Sequence, residues 1–259
     1  MKEILLTIVL GIIQGLTEFL PVSSSGHLTL FQEIFGLQQN TLFTNVALHL
    51  GTLFAVVVYY FKDLCSLFKK ENHKTIGHLI IATIPAGIVM IFLHDTIDTV
   101  FSSSKYLCFG FLITATVLLL TDILGKKITQ TKAITWKSAL IMGTCQACAV
   151  LPAISRSGST IGGGLIVARG ERSEVAKFSF FMSIPIIAGS ALFEALTVDY
   201  SSINIVATLL GMTAAFVTGY LAIRFMLNLI GKCNFKWFSL YLLILSIITF
   251  VNGFIVPIW

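Results

Sequence analysis

The sequence predicts an all-α polytopic membrane protein in which six transmembrane helices and two re-entrant helical hairpins form one integral membrane domain with an inverted-topology repeat. Of its 259 residues, 56% are hydrophobic and 11% are charged, and the mean hydropathy is +0.92. A soluble domain usually has about a quarter charged residues, and several apolar runs here approach or exceed the ~18–20 residues that cross a bilayer as a helix. The composition therefore excludes a soluble enzyme, a DNA-binding domain and a secreted disulfide scaffold.

Six segments are predicted to cross the membrane completely, namely 44–61, 76–94, 105–124, 178–197, 203–225 and 237–256. Lysine and arginine clusters follow the first and third crossings, precede the fourth and separate the fifth from the sixth. Two other loops instead carry Asp95, Asp98 and Asp199. By the positive-inside rule, the basic loops are cytoplasmic and the acidic loops lie outside. The basic residues behind the net charge of +5 therefore indicate how the chain is oriented in the membrane, and no nucleic-acid partner is expected.

The segment 138–168 must enter and leave the membrane on the same side, because the third crossing ends inside and the fourth begins inside. It is apolar enough to be embedded, yet it is interrupted by Leu151-Pro-Ala-Ile-Ser-Arg-Ser-Gly158. This pattern predicts a re-entrant hairpin of two short helices. Because the first crossing starts outside, residues 1–36 are predicted to form a similar hairpin that enters from outside, and both termini lie outside.

The two predicted hairpins share a sequence pattern at a constant spacing of 131 or 132 residues, about half the chain. The matched positions are Gly11 with Gly143, Gln14 with Gln146, Leu20-Pro21 with Leu151-Pro152, and Ser25-Gly26 with Ser157-Gly158. Each half, 1–130 and 131–259, is therefore predicted to hold one hairpin followed by three crossings, inserted with opposite orientation. Such repeats bring broken helices and their polar loops together near the middle of the membrane.

The first hairpin contains a polar cluster between Gln14 and His27. Gln14 and Glu18 are four residues apart and share one face of a helix, which Pro21 then ends. The hydroxyl groups that follow belong to Ser23, Ser24 and Ser25. Ionisable groups inside an apolar hairpin indicate a functional site by default. The alternative is a structural role, with a serine cap and a buried Glu18–His27 pair, but capping requires only one hydroxyl.

The second hairpin places Arg156 among hydroxyl groups at its predicted turn. These belong to Ser155, Ser157, Ser159 and Thr160. A guanidinium binds phosphate oxygens in a forked geometry, and a helix beginning near Ser159 would direct its N–H groups and positive end to the same place. The alternative is that Arg156 extends to the cytoplasmic surface, as Arg169 is expected to do. A hairpin tip deep in the membrane argues against that alternative.

Together the two clusters indicate phosphoryl transfer from a substrate whose body lies in lipid. A serine can act as a nucleophile if a histidine accepts its proton, and a carboxylate with a histidine can serve as acid and base or hold a metal. Arginine and helix N-termini stabilise charge on phosphoryl oxygens. Because inverted repeats with broken helices are foremost a transporter architecture, a lipid-phosphate flippase or an ion-coupled transporter remains the alternative.

The motifs at 14–27 and 155–160 resemble the two signature motifs of the undecaprenyl-diphosphate phosphatase, or bacitracin-resistance protein, family. The likeness continues through 94–97 and through 178–180 before Pro185. It implies a hydrolase of the bacterial cytoplasmic (inner) membrane, with its active site facing outside. Such an enzyme converts undecaprenyl diphosphate to undecaprenyl phosphate and inorganic phosphate, which recycles the carrier lipid for peptidoglycan synthesis and confers bacitracin resistance. The resemblance also implies a divalent metal ion, Mg²⁺ or Ca²⁺, and a polyprenyl diphosphate lipid as partner, and it leaves a homodimer open.

Carried over by position, the family's essential residues are Glu18, Ser24, His27 and Arg156. Glu18 is also the candidate metal ligand. The candidate substrate-binding residues are Gln14, Ser23, Ser25, Ser155, Ser157 and Thr160. The chain departs from the family at Gln14, where some members have Glu, and at Ala153, where Gly is common. Two assignments of the attacking group stay open: Ser24 with His27 as its base, or His27 itself.

The remaining polar residues are expected to have structural roles. His49 and His78, at the starts of the first two crossings, are predicted to lie near membrane interfaces rather than to bind a ligand. Cys145 and Cys148 form a CxxC pattern without a second pair, so the cysteines are expected to be free thiols rather than a zinc or redox site.

Overall fold

The computed structural model describes residues 1–37, 41–101, 104–125, 132–197, 204–230 and 234–256, with the side chains of 41–42, 94–101 and 194–197 left aside. Within these residues it has eleven α-helices, and the only β-pairing is one bridge between Lys132 and Gly170. The helices are α1 (Lys2–Phe19), α2 (Ser24–Ile34), α3 (Thr41–Tyr59), α4 (Phe61–Leu67), α5 (His73–Phe101), α6 (Leu107–Gly125), α7 (Trp136–Cys148), α8 (Arg156–Ile166), α9 (Arg172–Thr197), α10 (Ile205–Ile230) and α11 (Lys236–Phe254). The prediction of an all-α protein is confirmed.

Several helices are long and apolar enough to cross a membrane, which confirms a multi-pass membrane protein. In the described part of the chain there are five such spans, and the pair α3 and α4 makes a sixth if it counts as one span. That pair is bent by 76° around Tyr60, so the predicted crossing 44–61 consists of α3 and the bend that follows it. Because lipid offers no hydrogen bonds, helices that satisfy their own backbone groups are the form in which such a chain can span it.

Two pairs of helices form where hairpins of two short helices were predicted, although α1, with 18 residues, is nearly as long as the 19-residue α3, α6 and α11. Helix α1 ends at Phe19 before Pro21, and α2 begins after Ser23, whose Oγ accepts a hydrogen bond from Gly26 N at 3.3 Å. Helix α8 is capped in the same way by Ser155, whose Oγ accepts from Gly158 N at 3.0 Å. Because Ser155 provides this cap, α8 starts at Arg156, three residues earlier than the predicted start near Ser159.

Close helix contacts bring the tips of the two pairs together at the centre of the molecule. Small residues allow membrane helices to approach closely, and Gly11 of α1 lies directly against the backbone of Gly211 in α10. At the tips, Ser157 Oγ donates to Leu20 O at 2.9 Å, which joins the start of α8 to the end of α1. Thr114 of α6 supports the second tip, since its Oγ1 accepts from Ser155 N at 2.9 Å.

The structure does not describe several of the charged residues from which the orientation in the membrane was predicted. Lys126, Lys127, Lys232 and Asp199 lie outside the described residues, and so does the fifth cysteine, Cys233. The side chains of residues 94–98, which include Asp95, Asp98 and part of the resemblance, are also outside the description. The cytoplasmic and outer assignments of these loops therefore stay predictions. Cys65, Cys108, Cys145 and Cys148 are free thiols, as expected.

Candidate active site

The carboxylate of Glu18 is the point at which the two hairpin tips meet. Glu18 lies in the last turn of α1 and is 5% exposed. Arg156, the first residue of α8, donates from Nη2 to Glu18 Oε1, so an ion pair joins residues 138 positions apart in the chain. Buried charges in proteins are normally paired. The predicted convergence of the first and second polar clusters is confirmed.

The second carboxylate oxygen of Glu18 is surrounded by further polar groups. Its Oε2 accepts from Gln14 Nε2 at 2.9 Å, one helical turn earlier on the same face of α1, and also from Ser24 Oγ. The imidazole Nε2 of His49 lies 3.6 Å from the same oxygen. Because these donors and the guanidinium replace the hydration that water would supply, Glu18 can stay ionised in an apolar region.

Ser24 is the hydroxyl that faces this carboxylate. It is the first residue of α2 and is half-buried, while its neighbour Ser25 is exposed. Ser23 is buried, caps α2 and lies with its Oγ 3.3 Å from Ser25 Oγ. A serine hydroxyl that donates to a carboxylate has a base in place to accept its proton. Of the three serines, Ser24 is thus the one whose hydroxyl contacts the buried carboxylate.

His27 lies in the same turn, but its described hydrogen-bond partners are residues other than Ser24. Its Nδ1 donates to Ser23 O at 2.7 Å, and its Nε2 lies 2.6 Å from Tyr241 Oη. Both ring nitrogens therefore have partners other than Ser24, namely the carbonyl of the N-cap residue and a tyrosine hydroxyl. A Ser24–His27 hydrogen bond is therefore absent among the described contacts, and the group that accepts from Ser24 Oγ is the Glu18 carboxylate.

Comparison with known proteins matches most of this chain to a known family. The model of the bacitracin resistance protein BacA matches residues 7–248. The chain belongs to the BacA family. It is 41% identical to the undecaprenyl-diphosphatase of Thermosipho africanus, over 95% of this chain and 99% of that one. The undecaprenyl-diphosphatases of Carboxydothermus hydrogenoformans and Bacteroides fragilis are 38% and 39% identical, with 93% and 94% of this chain covered and 94% and 96% of theirs.

In this BacA family member, the hydroxyls of the second motif are bonded within the protein. Ser155 Oγ caps α8, Ser157 Oγ donates to Leu20 O, and Thr160 Oγ1 lies 2.6 Å from Ser179 Oγ on α9. All three residues of the motif are less than 5% exposed. Their role in binding substrate stays a prediction. What they do in this geometry is hold the tip of the second hairpin, and with it Arg156, against Glu18.

Two residues of the site were not anticipated from the sequence. His49 was predicted to lie near an interface, but α3 begins at Thr41, so His49 lies two turns into the helix and faces Glu18. Its Nδ1 donates to Asn45 O at 2.7 Å, which directs Nε2 to the carboxylate. Tyr241 comes from the last helix and contacts His27. In the sequence, each of these two residues is distinguished only by having a polar group inside an apolar crossing, an imidazole in His49 and a hydroxyl in Tyr241.

The donor set limits the way in which a metal ion can bind. The described residues contain no group of three or more His, Cys, Asp or Glu side chains that could hold a metal. Mg²⁺ is nevertheless often bound by one or two carboxylates together with substrate phosphates. The residues present therefore fit an ion that Glu18 shares with a diphosphate, and they do not form a complete cage of protein ligands.

Proposed function

We propose that this protein is an integral membrane phosphatase that hydrolyses undecaprenyl diphosphate to undecaprenyl phosphate and inorganic phosphate. Relatives that are 38–41% identical over nearly the whole chain carry the name undecaprenyl-diphosphatase. The observation that carries the proposal is the shared carboxylate, since Ser24 and Arg156 contact the two oxygens of Glu18. Through this reaction the protein recycles the carrier lipid for peptidoglycan synthesis and confers resistance to bacitracin.

The diphosphate binds at Arg156 in this proposal. A guanidinium forks onto two phosphate oxygens, and the N-terminal ends of α2 and α8 add positive dipoles beside it. The incoming diphosphate competes with Glu18 for the same guanidinium. As Arg156 turns to the substrate, Glu18 Oε1 becomes free for other contacts, while Oε2 keeps its hydrogen bond from Ser24 and can accept the Ser24 proton.

Ser24 then attacks the terminal phosphorus. Its proton passes to Glu18 Oε2, the Oγ–P bond forms, and the bond from phosphorus to the bridging oxygen breaks, so undecaprenyl phosphate leaves. Water hydrolyses the resulting phosphoserine and releases inorganic phosphate. Attack by His27 is less favoured because its Nε2 already contacts Tyr241 Oη. A trapped phosphoserine supports the first assignment, and a trapped phosphohistidine supports the second.

A divalent cation, Mg²⁺ or Ca²⁺, is proposed to bind together with the substrate. Glu18 and the diphosphate oxygens would hold it, in keeping with the oxygen ligands that both ions prefer. When bound, such an ion neutralises charge on the phosphoryl oxygens.

We also propose the complete topology of six crossings and two re-entrant hairpins, with 1–130 and 131–259 as inverted repeats. The pairs α1–α2 and α7–α8 support it, because each second helix is capped by a serine at corresponding positions, Ser23 and Ser155. In this topology both termini lie outside, and the site opens to the outer face of the bacterial cytoplasmic membrane. Cysteine labelling at Lys69 and Asp199 from opposite sides is expected; labelling of both from one side would contradict it.

The function is tested by phosphate release from undecaprenyl diphosphate by the purified protein. Arg156→Lys keeps the charge but loses the planar fork, so we expect a loss of about 100-fold or more. Arg169→Lys is the matched control, because Arg169 is exposed and lies away from the tips. If the wild type releases no phosphate but moves labelled lipid phosphate across proteoliposomes, the protein is a transporter.

A further inference from the structure

Two contacts determine the proton position on His27. Its Nδ1 lies 2.7 Å from Ser23 O, and a carbonyl oxygen can only accept, so Nδ1 carries the hydrogen. On a neutral ring Nε2 is then an acceptor. The group that faces it is Tyr241 Oη at 2.6 Å, which therefore donates.

Helix α11 holds Tyr241 in place through its own contacts with α6. Ser239 Oγ donates to Ala115 O at 2.7 Å and Ser246 Oγ donates to Cys108 O at 2.8 Å, one on each side of the buried Leu242. These three residues of α11 are three and four positions apart and so share one face. Hydrogen bonds between membrane helices help to set which residues lie opposite each other. The adjacent Tyr241 is thereby placed with its hydroxyl on His27.

The imidazole of His27 is also packed between two aromatic rings. Phe111 of α6 meets it edge-on, with ring centroids 5.7 Å apart and planes at 74°. Tyr241 lies nearly parallel to it, also with centroids 5.7 Å apart and planes at 16°. Tyr241 itself is 45% exposed. An exposed tyrosine on a crossing is ordinarily an interface anchor, but its short contact with a buried histidine of the site indicates a different role.

We propose that Tyr241 is a positioning residue of the active site, which holds His27 in a single orientation with the proton on Nδ1 and the lone pair on Nε2. This inference rests on the proposed phosphatase function. His27 held in this way fixes the first turn of α2 through Ser23 O, and so keeps the neighbouring Ser24 in position for attack. Without the Tyr241 hydroxyl, Nε2 loses its described partner, and the ring can turn or change tautomer.

The test is Tyr241→Phe, which keeps the ring and removes the hydroxyl. Loss of one neutral hydrogen bond corresponds to about a tenfold fall in kcat. KM is expected to stay within about twofold, because the hydroxyl supports a step after binding. Tyr220→Phe is the control, since Tyr220 is also partly exposed and packs against the ring of Tyr59. Equal kcat for Tyr241→Phe and the wild type would contradict the proposal.

A second measurement does not depend on activity. The chain has five histidines, so ¹⁵N spectra of histidine-labelled protein are simple, and His27→Asn assigns the signal of interest. We expect a protonated Nδ1 and an unprotonated Nε2 in the wild type, and a shift of both signals in Tyr241→Phe but not in Tyr220→Phe. An unchanged His27 signal in Tyr241→Phe overturns the positioning role even if the phosphatase is active. If Tyr241→Phe shifts the His27 signal but the wild-type protein has no phosphatase activity, the His27–Tyr241 contact is supported and only the proposed function is rejected.

Discussion

Replacement of Glu18 by Gln should destabilise the folded protein far more than loss of an exposed ion pair. Glu18 is 3% exposed at its side chain and Arg156 is 19% exposed. Gln keeps the shape of the side chain but leaves the guanidinium without its counter-charge at the centre of the molecule. Removal of one partner from a buried pair costs about 3–5 kcal/mol.

The chain offers an internal control for this prediction. Lys177 donates to Asp63 across α9 and α4, with side-chain exposures of 31% and 44%. Because solvent screens such a pair, Asp63→Asn should cost about 0–1 kcal/mol. At about 2–4 °C of unfolding temperature per kcal/mol for a chain of this size, Glu18→Gln should lower the midpoint by roughly 6–20 °C. Asp63→Asn should lower it by about 4 °C or less.

Thermal unfolding in detergent, followed by intrinsic fluorescence, measures both variants under one condition. The double variant Glu18→Gln, Arg156→Gln completes a mutant cycle and should be less destabilised than the sum of its single variants, because it leaves no unpaired charge. Equal shifts for Glu18→Gln and Asp63→Asn, or strict additivity in the cycle, would refute the reasoning that burial of the pair determines its cost.

Three further predictions concern the site and its supports. Ser24→Ala should lower phosphate release by several powers of ten, and the trapped wild-type intermediate should be a phosphoserine. His49→Leu removes a polar neighbour of the carboxylate and should lower kcat about tenfold, whereas His78→Leu should not, as steady-state assays will show. Gly15→Ala should cost about 1–3 kcal/mol by unfolding assays because its Cβ would lie 2.6 Å from backbone atoms of α10. The Cβ that Gly77→Ala adds would have no atom within 4 Å, so this variant should stabilise its helix by about 0.5–1 kcal/mol.

Each of these predictions has a result that contradicts it. A Ser24→Ala variant with most of its turnover would make Ser24 a hydrogen-bond donor only and would favour attack by His27. Equal activity of His49→Leu and His78→Leu would mean that the 3.6 Å contact with Glu18 has no part in catalysis. Equal stability of Gly15→Ala and Gly77→Ala would show that α1 can move away from α10 at little cost.

The sequence by itself determined the features that depend on neighbouring residues. Apolar runs predict the spanning helices, because length and hydropathy decide whether a segment is stable in lipid. Pro21 and Pro152 mark the breaks, and Ser23 and Ser155 lie where a side-chain oxygen can cap the next helix. The meeting of Glu18 with Arg156, 138 residues apart, could be predicted only by way of the proposed inverted repeat, which would bring its two broken helices together.

The tertiary structure alone decided which polar groups contact each other at the site. One of the two alternatives paired Ser24 with His27 as its base, yet Ser24 donates to Glu18 and His27 Nδ1 donates to the carbonyl of Ser23. His49 and Tyr241 reach the site from α3 and α11. Their contribution depends on the rotation of each helix about its axis and on its displacement along its neighbours. Both quantities are set by packing between helices that are far apart in the chain. The direction in which a single polar residue of an apolar run will face can therefore not be predicted from that run alone.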